Sequence, residues 1–120
     1  DVTGFGRQGH PHGMRGGRLS CIIEAERGPV MESALQYADE FYITAAGQRN
    51  RNHVGTAVVF DGIPFSMEEV LFDPQTSGGL LLSLRPAEAE AMAAEMRNAG
   101  LPAAVIGIVT EKGEHEITVR

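Results

Sequence analysis

Apolar positions along the chain recur at two spacings, and the change from one to the other divides the sequence into elements. Cys21, Ile22 and Ile23 form a short apolar run, which predicts a strand over Leu19 to Ala25. Gly28-Pro29 breaks the chain. Met31, Ala34, Leu35, Ala38 and Phe41 then fall on one helical stripe. Residues 45–55 are polar and carry Gly and Asn, so they read as a loop. Ala57 to Phe60 reads as a short strand closed by the turn signal Asp61-Gly62.

Ser66 followed three positions later by Glu69 has the form of a capping box, and predicts a short helix up to Leu71. Asp73 to Gly79 reads as a loop. Leu80 to Leu84 is almost uninterrupted apolar sequence, as in a strand covered on both faces. Pro86 suits the first position of a helix, Ala89, Met92, Ala93 and Met96 its buried stripe, and Gly100 its end. Ala104 to Val109 reads as another buried strand. Glu116 to Arg120 alternates polar and apolar, as an edge strand does. Ahead of all these, residues 4–17 are glycine-rich. A helix over Gln8 to Arg15 is expected to be weak, because glycine and Pro11 lower interior helix stability. Amphipathic helices alternating with strands need a sheet to cover, which predicts an α/β domain with a mixed sheet and no internal repeat or linker.

Composition narrows the picture. The chain has 120 residues, one domain's worth, and 42% of them are apolar, so it can bury a core. The formal charge of −6 lacks the basic footprint of a nucleic-acid-binding module, so no nucleic acid is expected as a partner. A single cysteine, Cys21, cannot form an internal disulfide, and its apolar neighbours make it a small buried hydrophobe. With no signal peptide and no long apolar stretch, the expected location is the cytoplasm, with no membrane partner. The chain opens on Asp1 rather than Met, amid a functional-looking motif, and is expected to be a piece of a longer polypeptide.

Three segments carry candidate chemistry. In Asp1-Val2-Thr3-Gly4-Phe5-Gly6 a carboxylate precedes two glycines. A carboxylate is a hard ligand for Mg²⁺, and glycines let backbone N–H groups approach a phosphate. The same residue types also make a plain strand-to-helix turn. In Asp73-Pro74-Gln75-Thr76-Ser77-Gly78-Gly79 the Asp, Pro and glycines can build a rigid loop with no ligand. Alternatively, Gln75, Thr76 and Ser77 present polar groups to a nucleotide or a partner domain. Gly47 to Asn52 holds two arginines and two asparagines, either a small anion-contacting patch or a solvated basic loop. His10 and His12 have no metal-ligand spacing with Cys21. No nucleophile triad, Walker-type lysine loop or dinucleotide fingerprint is present.

Taken together, these segments resemble selenophosphate synthetase (selenide, water dikinase). Asp1 to Gly6, with Gly9-His10 after it, looks like the segment opening that family's C-terminal domain. The run from Asp73 through Leu81 looks like its second and more specific signature. The closing run Ala104-Val105-Ile106-Gly107 also fits, so the resemblance covers essentially the whole chain. It extends to the wider group containing aminoimidazole ribonucleotide synthetase, and implies a three-layer α/β/α domain with a mixed sheet. By the same resemblance, the full enzyme converts selenide, ATP and water into selenophosphate, AMP and phosphate, using Mg²⁺ and commonly K⁺. Asp1 matches a magnesium-holding aspartate. Thr3, Gly4, Gly6, Gln75, Thr76, Ser77 and Gly78 would lie beside the nucleotide. Arg51 and Asn52 match the end of a Gly-Gly-Thr…Arg-Asn segment as anion contacts, although Gln48 and Arg49 replace its Gly-Thr.

The reactive cysteine or selenocysteine, the key lysine and the other metal ligands belong to the family's N-terminal half, which this sequence does not contain. The fragment alone is therefore expected to hold no catalytic residue, to bind ATP poorly and to be inactive. The parent is expected to be a homodimer. Arg7 and Gln8 stand where family members usually carry apolar residues. The rival readings are a related ATP-dependent enzyme acting on a purine or thiamine precursor, and a non-catalytic cap or assembly module.

Overall fold

The computed structural model describes Val2, residues 19–76 and residues 78–120. The helix expected over Gln8 to Arg15 lies outside them. Four strands form one mixed sheet: β1 (Leu19–Ile23), β2 (Val58–Phe60), β3 (Gly107–Glu111) and β4 (Ile117–Val119), in the order β2-β4-β1-β3. β4 is parallel to both β1 and β2, whereas β3 pairs antiparallel with β1. Among the described residues four α-helices accompany it: α1 (Glu32–Asp39), α2 (Ala45–Val54), α3 (Phe65–Phe72) and α4 (Pro86–Asn98). The α/β class and the mixed sheet agree with the sequence reading.

Alternation along the strands decides which side is dry. Cys21 and Ile23 of β1 lie in register with Ile117 and Val119 of β4, and Val58 of β2 is opposite Ile117. These side chains, with Ala25, meet Val54 of α2 and Leu71 and Phe72 of α3 in a single cluster. Ile117, Val119, Leu71 and Phe72 are fully buried, each worth about 1.5–3 kcal/mol relative to exposure. The Phe60 ring meets that of Phe72 edge-on, with centroids 5.7 Å apart.

Several expectations are corrected. Residues 45–55 are not a loop but mostly the helix α2. Thr44 starts it, its hydroxyl accepting the Gly47 N–H at 3.0 Å, and the polar side chains that argued for solvent are bonded to α3. The capping box is absent. Pro64 precedes α3, Ser66 is already inside it, and Glu69 turns into the protein toward Arg51 and Gln48. Residues 116–120 do not form an edge strand: β4 sits centrally, since alternation reports one dry face and says nothing of neighbours. The strand expected at 104–109 is displaced to Gly107–Glu111 and lies at the edge, with Ile108 and Val109 exposed. Leu80 to Leu84 joins no strand among the described residues, and Leu80, Leu82 and Leu84 are exposed.

The helices α1 and α4 end in the same way. In α4 the Gly100 N–H reaches the Arg97 carbonyl and the Leu101 N–H that of Met96, with Gly100 at φ 81°. In α1 the Phe41 N–H reaches Ala38 and the Tyr42 N–H reaches Tyr37. This is the same closing motif, which needs a left-handed residue and normally takes glycine. Here Phe41 occupies it, at φ 63°. A side chain in that conformation costs about 1–2 kcal/mol.

Replacing Phe72 by Ala should cost about 3–5 kcal/mol, because the cavity would open beneath Phe60 and the sheet. Urea denaturation of wild type and variant measures it. A cost below about 1 kcal/mol would show that the cluster is loosely packed.

Candidate functional site

A cleft of about 680 Å³ opens between α1, the start of α2, the end of α3 and the loop after α3. It falls within the usual size range of ligand sites. One wall carries Tyr37 and Tyr42, whose rings meet edge-on at 6.0 Å. The opposite wall carries Asp73, Gln75, Thr76 and Gly78. Thr44 joins the walls: it caps α2 and its hydroxyl donates to Asp73 Oδ1 at 3.2 Å. Among the described residues the lining includes Glu69 and Asp73 but no Lys, Arg or His. Its side chains therefore suit hydroxyl, amide and aromatic groups, and attract a phosphate only through backbone donors or a cation.

Behind the cleft a polar clamp fixes α2 against α3. Arg51 donates to Glu68 at 2.8 Å and to Glu69 at 2.6 Å, and Gln48 donates to the other Glu69 oxygen at 2.8 Å. The Glu69 side chain is only 3% exposed. The Asn50 amide donates to the Phe72 carbonyl at 3.0 Å, satisfying an acceptor at the end of α3. The Arg51 guanidinium lies over the Phe72 ring, 4.8 Å from its centre. Burial disfavours the Arg51 charge, but hydrogen bonds and attraction from Glu68 and Glu69 outweigh it and raise its proton affinity. A cation with a raised value contributes stability below its unfolded value, lost only as pH rises through the folded one. For an arginine that range lies above any pH the fold meets.

The loop after α3 is tied to the start of the chain. Val2 is buried; its N–H donates to the Gly79 carbonyl and its carbonyl accepts from the Gly78 N–H, both at 2.9 Å. A Cβ on Gly78 would stand 2.5 Å from the Val2 carbonyl oxygen and 2.5 Å from Gln75 Oε1, so only glycine fits.

Of the site residues expected from sequence, Gln75, Thr76 and Gly78 come together on one wall. Asp1, Thr3, Gly4, Gly6 and Ser77 lie outside the described residues. Arg51 is on α2 with its guanidinium committed to two carboxylates, and Asn52 is exposed on the same helix. Sequence reasoning missed Thr44, Tyr37, Tyr42 and Glu69. Thr44 was recoverable, since a threonine ahead of two alanines is a helix-start signal. The Glu69 pairing was not, because its partners lie on another helix.

Residues 1–120 match the family described as AIR synthase related protein, C-terminal domain. The chain belongs to that family. Among curated proteins it is 52% identical over 120 residues to a selenide, water dikinase of Agathobacter rectalis, covering 99% of this chain and 35% of that protein. It is 40% identical over 120 residues to one of Desulfitobacterium hafniense, covering 100% of this chain and 35% of the relative. For one of Clostridioides difficile the identity is 38% over 122 residues, with 99% and 35% covered. The chain thus spans about a third of the length of these relatives. No helix of the described residues is long and apolar enough to cross a membrane.

Gly78→Ala should destabilise the fold by about 1–3 kcal/mol through overpacking, and remove the exchange protection of the residue-78 amide. Hydrogen exchange with urea denaturation reads both; unchanged protection would refute the tie to Val2. Arg51→Ala should cost about 1.5–3 kcal/mol, because it leaves buried Glu69 with Gln48 alone. Arg51→Lys should recover part of that, since an ammonium keeps the charge but not the fork between two carboxylates.

Proposed function

We propose that this chain works as the C-terminal domain of a selenide, water dikinase, which makes selenophosphate from selenide, ATP and water and releases AMP and phosphate. One observation carries the reading: Val2 is held between Gly78 and Gly79. It brings Val2, the sequence neighbour of the candidate metal ligand Asp1, against the Asp73–Gly79 loop. Two stretches distant in sequence thereby meet in one place, beside a cleft of nucleotide-compatible size. The similarity to selenide, water dikinases over the whole chain supports the same reading.

In this reading Gln75, Thr76 and Gly78 form part of the wall around the ATP, with Thr3, Gly4 and Gly6 supplying backbone near its phosphates. Asp1 would be this chain's ligand for Mg²⁺ at those phosphates. Among the described residues no group of three or more His, Cys, Asp or Glu side chains could hold a metal ion. A single carboxylate still fits, because Mg²⁺ uses one or two carboxylates together with phosphates and water. When bound, the ion neutralises phosphate charge. Among the described residues this cleft has no cationic side chain to meet that charge. A K⁺ requirement, a homodimeric parent and a cytoplasmic location belong to the same proposal. Arg51 is left out of the nucleotide wall, because its guanidinium is already engaged.

The test is selenide-dependent AMP release by the full-length polypeptide and its Asp1→Asn variant. Turnover should fall on the order of 10–100-fold or more, at least as much as for loss of an outer-sphere metal partner. The 120-residue chain alone should give no turnover. Full activity of the variant would make the domain's role structural. Absence of selenide-dependent AMP from the parent would point to a purine or thiamine precursor as substrate.

A further inference from the structure

The face formed by α1 with the residue before it, the turn after it and the start of α3 is apolar and open. Met31 is 76% exposed, Phe41 and Tyr42 73% each, Tyr37 55% and Phe65 47%. The chain has five phenylalanines, two tyrosines and no tryptophan, and both tyrosines and two of the phenylalanines are gathered here. The rings touch in pairs, Tyr37 with Tyr42 and Phe41 with Phe65, each at 6.0 Å between centroids. Contiguous exposed apolar surface of this kind marks an interaction site far more often than a bare monomer face.

Phe41 adds an independent observation. Its φ of 63° is the conformation that Gly100 supplies, without strain, in the matching turn after α4. A glycine would close α1 with the same backbone bonds. Phenylalanine instead keeps a strained backbone and holds a mostly solvated ring against Phe65. Strain of this kind persists at functional positions. Around the face, residues 28–48 carry Glu32, Asp39 and Glu40 and no Lys or Arg, and all three carboxylates are exposed.

We propose that this face docks a protein domain with an apolar centre and a basic rim. The domain would be carried by the part of the longer polypeptide that the relatives have and this chain does not match. The inference rests on the reading of the chain as one domain of such a polypeptide. The relatives supply the length: the chain spans 35% of each. Aromatic and methionine side chains at the centre with charge at the rim are the make-up of protein interfaces. Met31, Tyr37 and Tyr42 also line the cleft. A domain seated on them covers its open side, next to Gln75 and Thr76, and excludes water from it.

The test compares hydrogen exchange in the full-length polypeptide and in the 120-residue chain, each as wild type, Phe41→Gly and Phe41→Asn. Both substitutions suit the left-handed turn and remove the ring. Amides of residues 38–43 and 65–67 should exchange on the order of tenfold or more slowly in the full-length wild type. Both variants should lose that extra protection while the isolated chain melts no lower than wild type. Equal exchange in the two contexts, or protection that survives both substitutions, would overturn the proposal. So would self-association of the isolated chain through this face, read by sedimentation and abolished by Phe41→Gly, since the occupant would then be a second copy. Retained protection without selenide-dependent AMP release would count against the proposed activity alone. Activity without protection would count against the docking alone.

Discussion

A carboxylate shut away from water must be given donors, and Glu69 is the residue on which this requirement falls. Its side chain sits between two helices over an apolar sheet, and both of its oxygens are used, one by Arg51 and one by Gln48. Such a network is a poor source of net stability, since desolvation consumes most of the attraction. Its effect is geometric. α2 is a helix of Gln, Asn and Arg with few apolar residues to hold it, and the clamp sets its position against α3. That position brings Thr44 to Asp73 and so defines the mouth of the cleft. The contact of Arg51 with the Phe72 ring ties the same network to the core.

The sequence was most legible where one face of an element is dry. β1 follows from its apolar run. α1 and α4 form where apolar spacing placed them, with Pro86 and Gly100 at the limits of α4 as expected. Only Ala38 of α1 and Ala93 of α4 are buried, however, and Met92 of the stripe expected to be buried is exposed. It was least legible where polar residues are buried by pairing. Gln48, Asn50 and Arg51 look like a solvated loop until Glu68, Glu69 and the Phe72 carbonyl are seen opposite them. The Ser66 and Glu69 spacing misled for the same reason: Glu69 serves a neighbouring helix rather than its own first turn. Centre and edge were exchanged for β4 and the strand before it. Strand order is a long-range property, and neither strand's own residues encode it.

For the candidate site, the glycine motifs were visible in sequence, but their mutual position was not. Gly78 illustrates the difference. As a letter in a polar loop it suggests only freedom of the backbone. In the fold it is the one residue type that lets the loop lie flat against the Val2 carbonyl. Tyr37 and Tyr42 of the aromatic wall drew no reading from the sequence, and Met31 and Phe41, at the two ends of the helical stripe it placed in α1, are in solvent. Among the described residues, the charged side chains lining the cleft are the carboxylates of Glu69 and Asp73.

The position of β4 has a consequence for how the molecule is made. β1 is translated well before β4, but its central neighbour in the sheet comes from Ile117–Val119, and among the described residues β2 gains its ladder only from the same strand. Until synthesis has passed Val119, β1 and β2 have no strand to join them, and the dry face of the sheet cannot close. The domain therefore has no native-like half-product with a continuous sheet. A ribosome-bound chain short of β4 exposes Cys21, Ile23 and Val58 together, which is the kind of surface that chaperones hold.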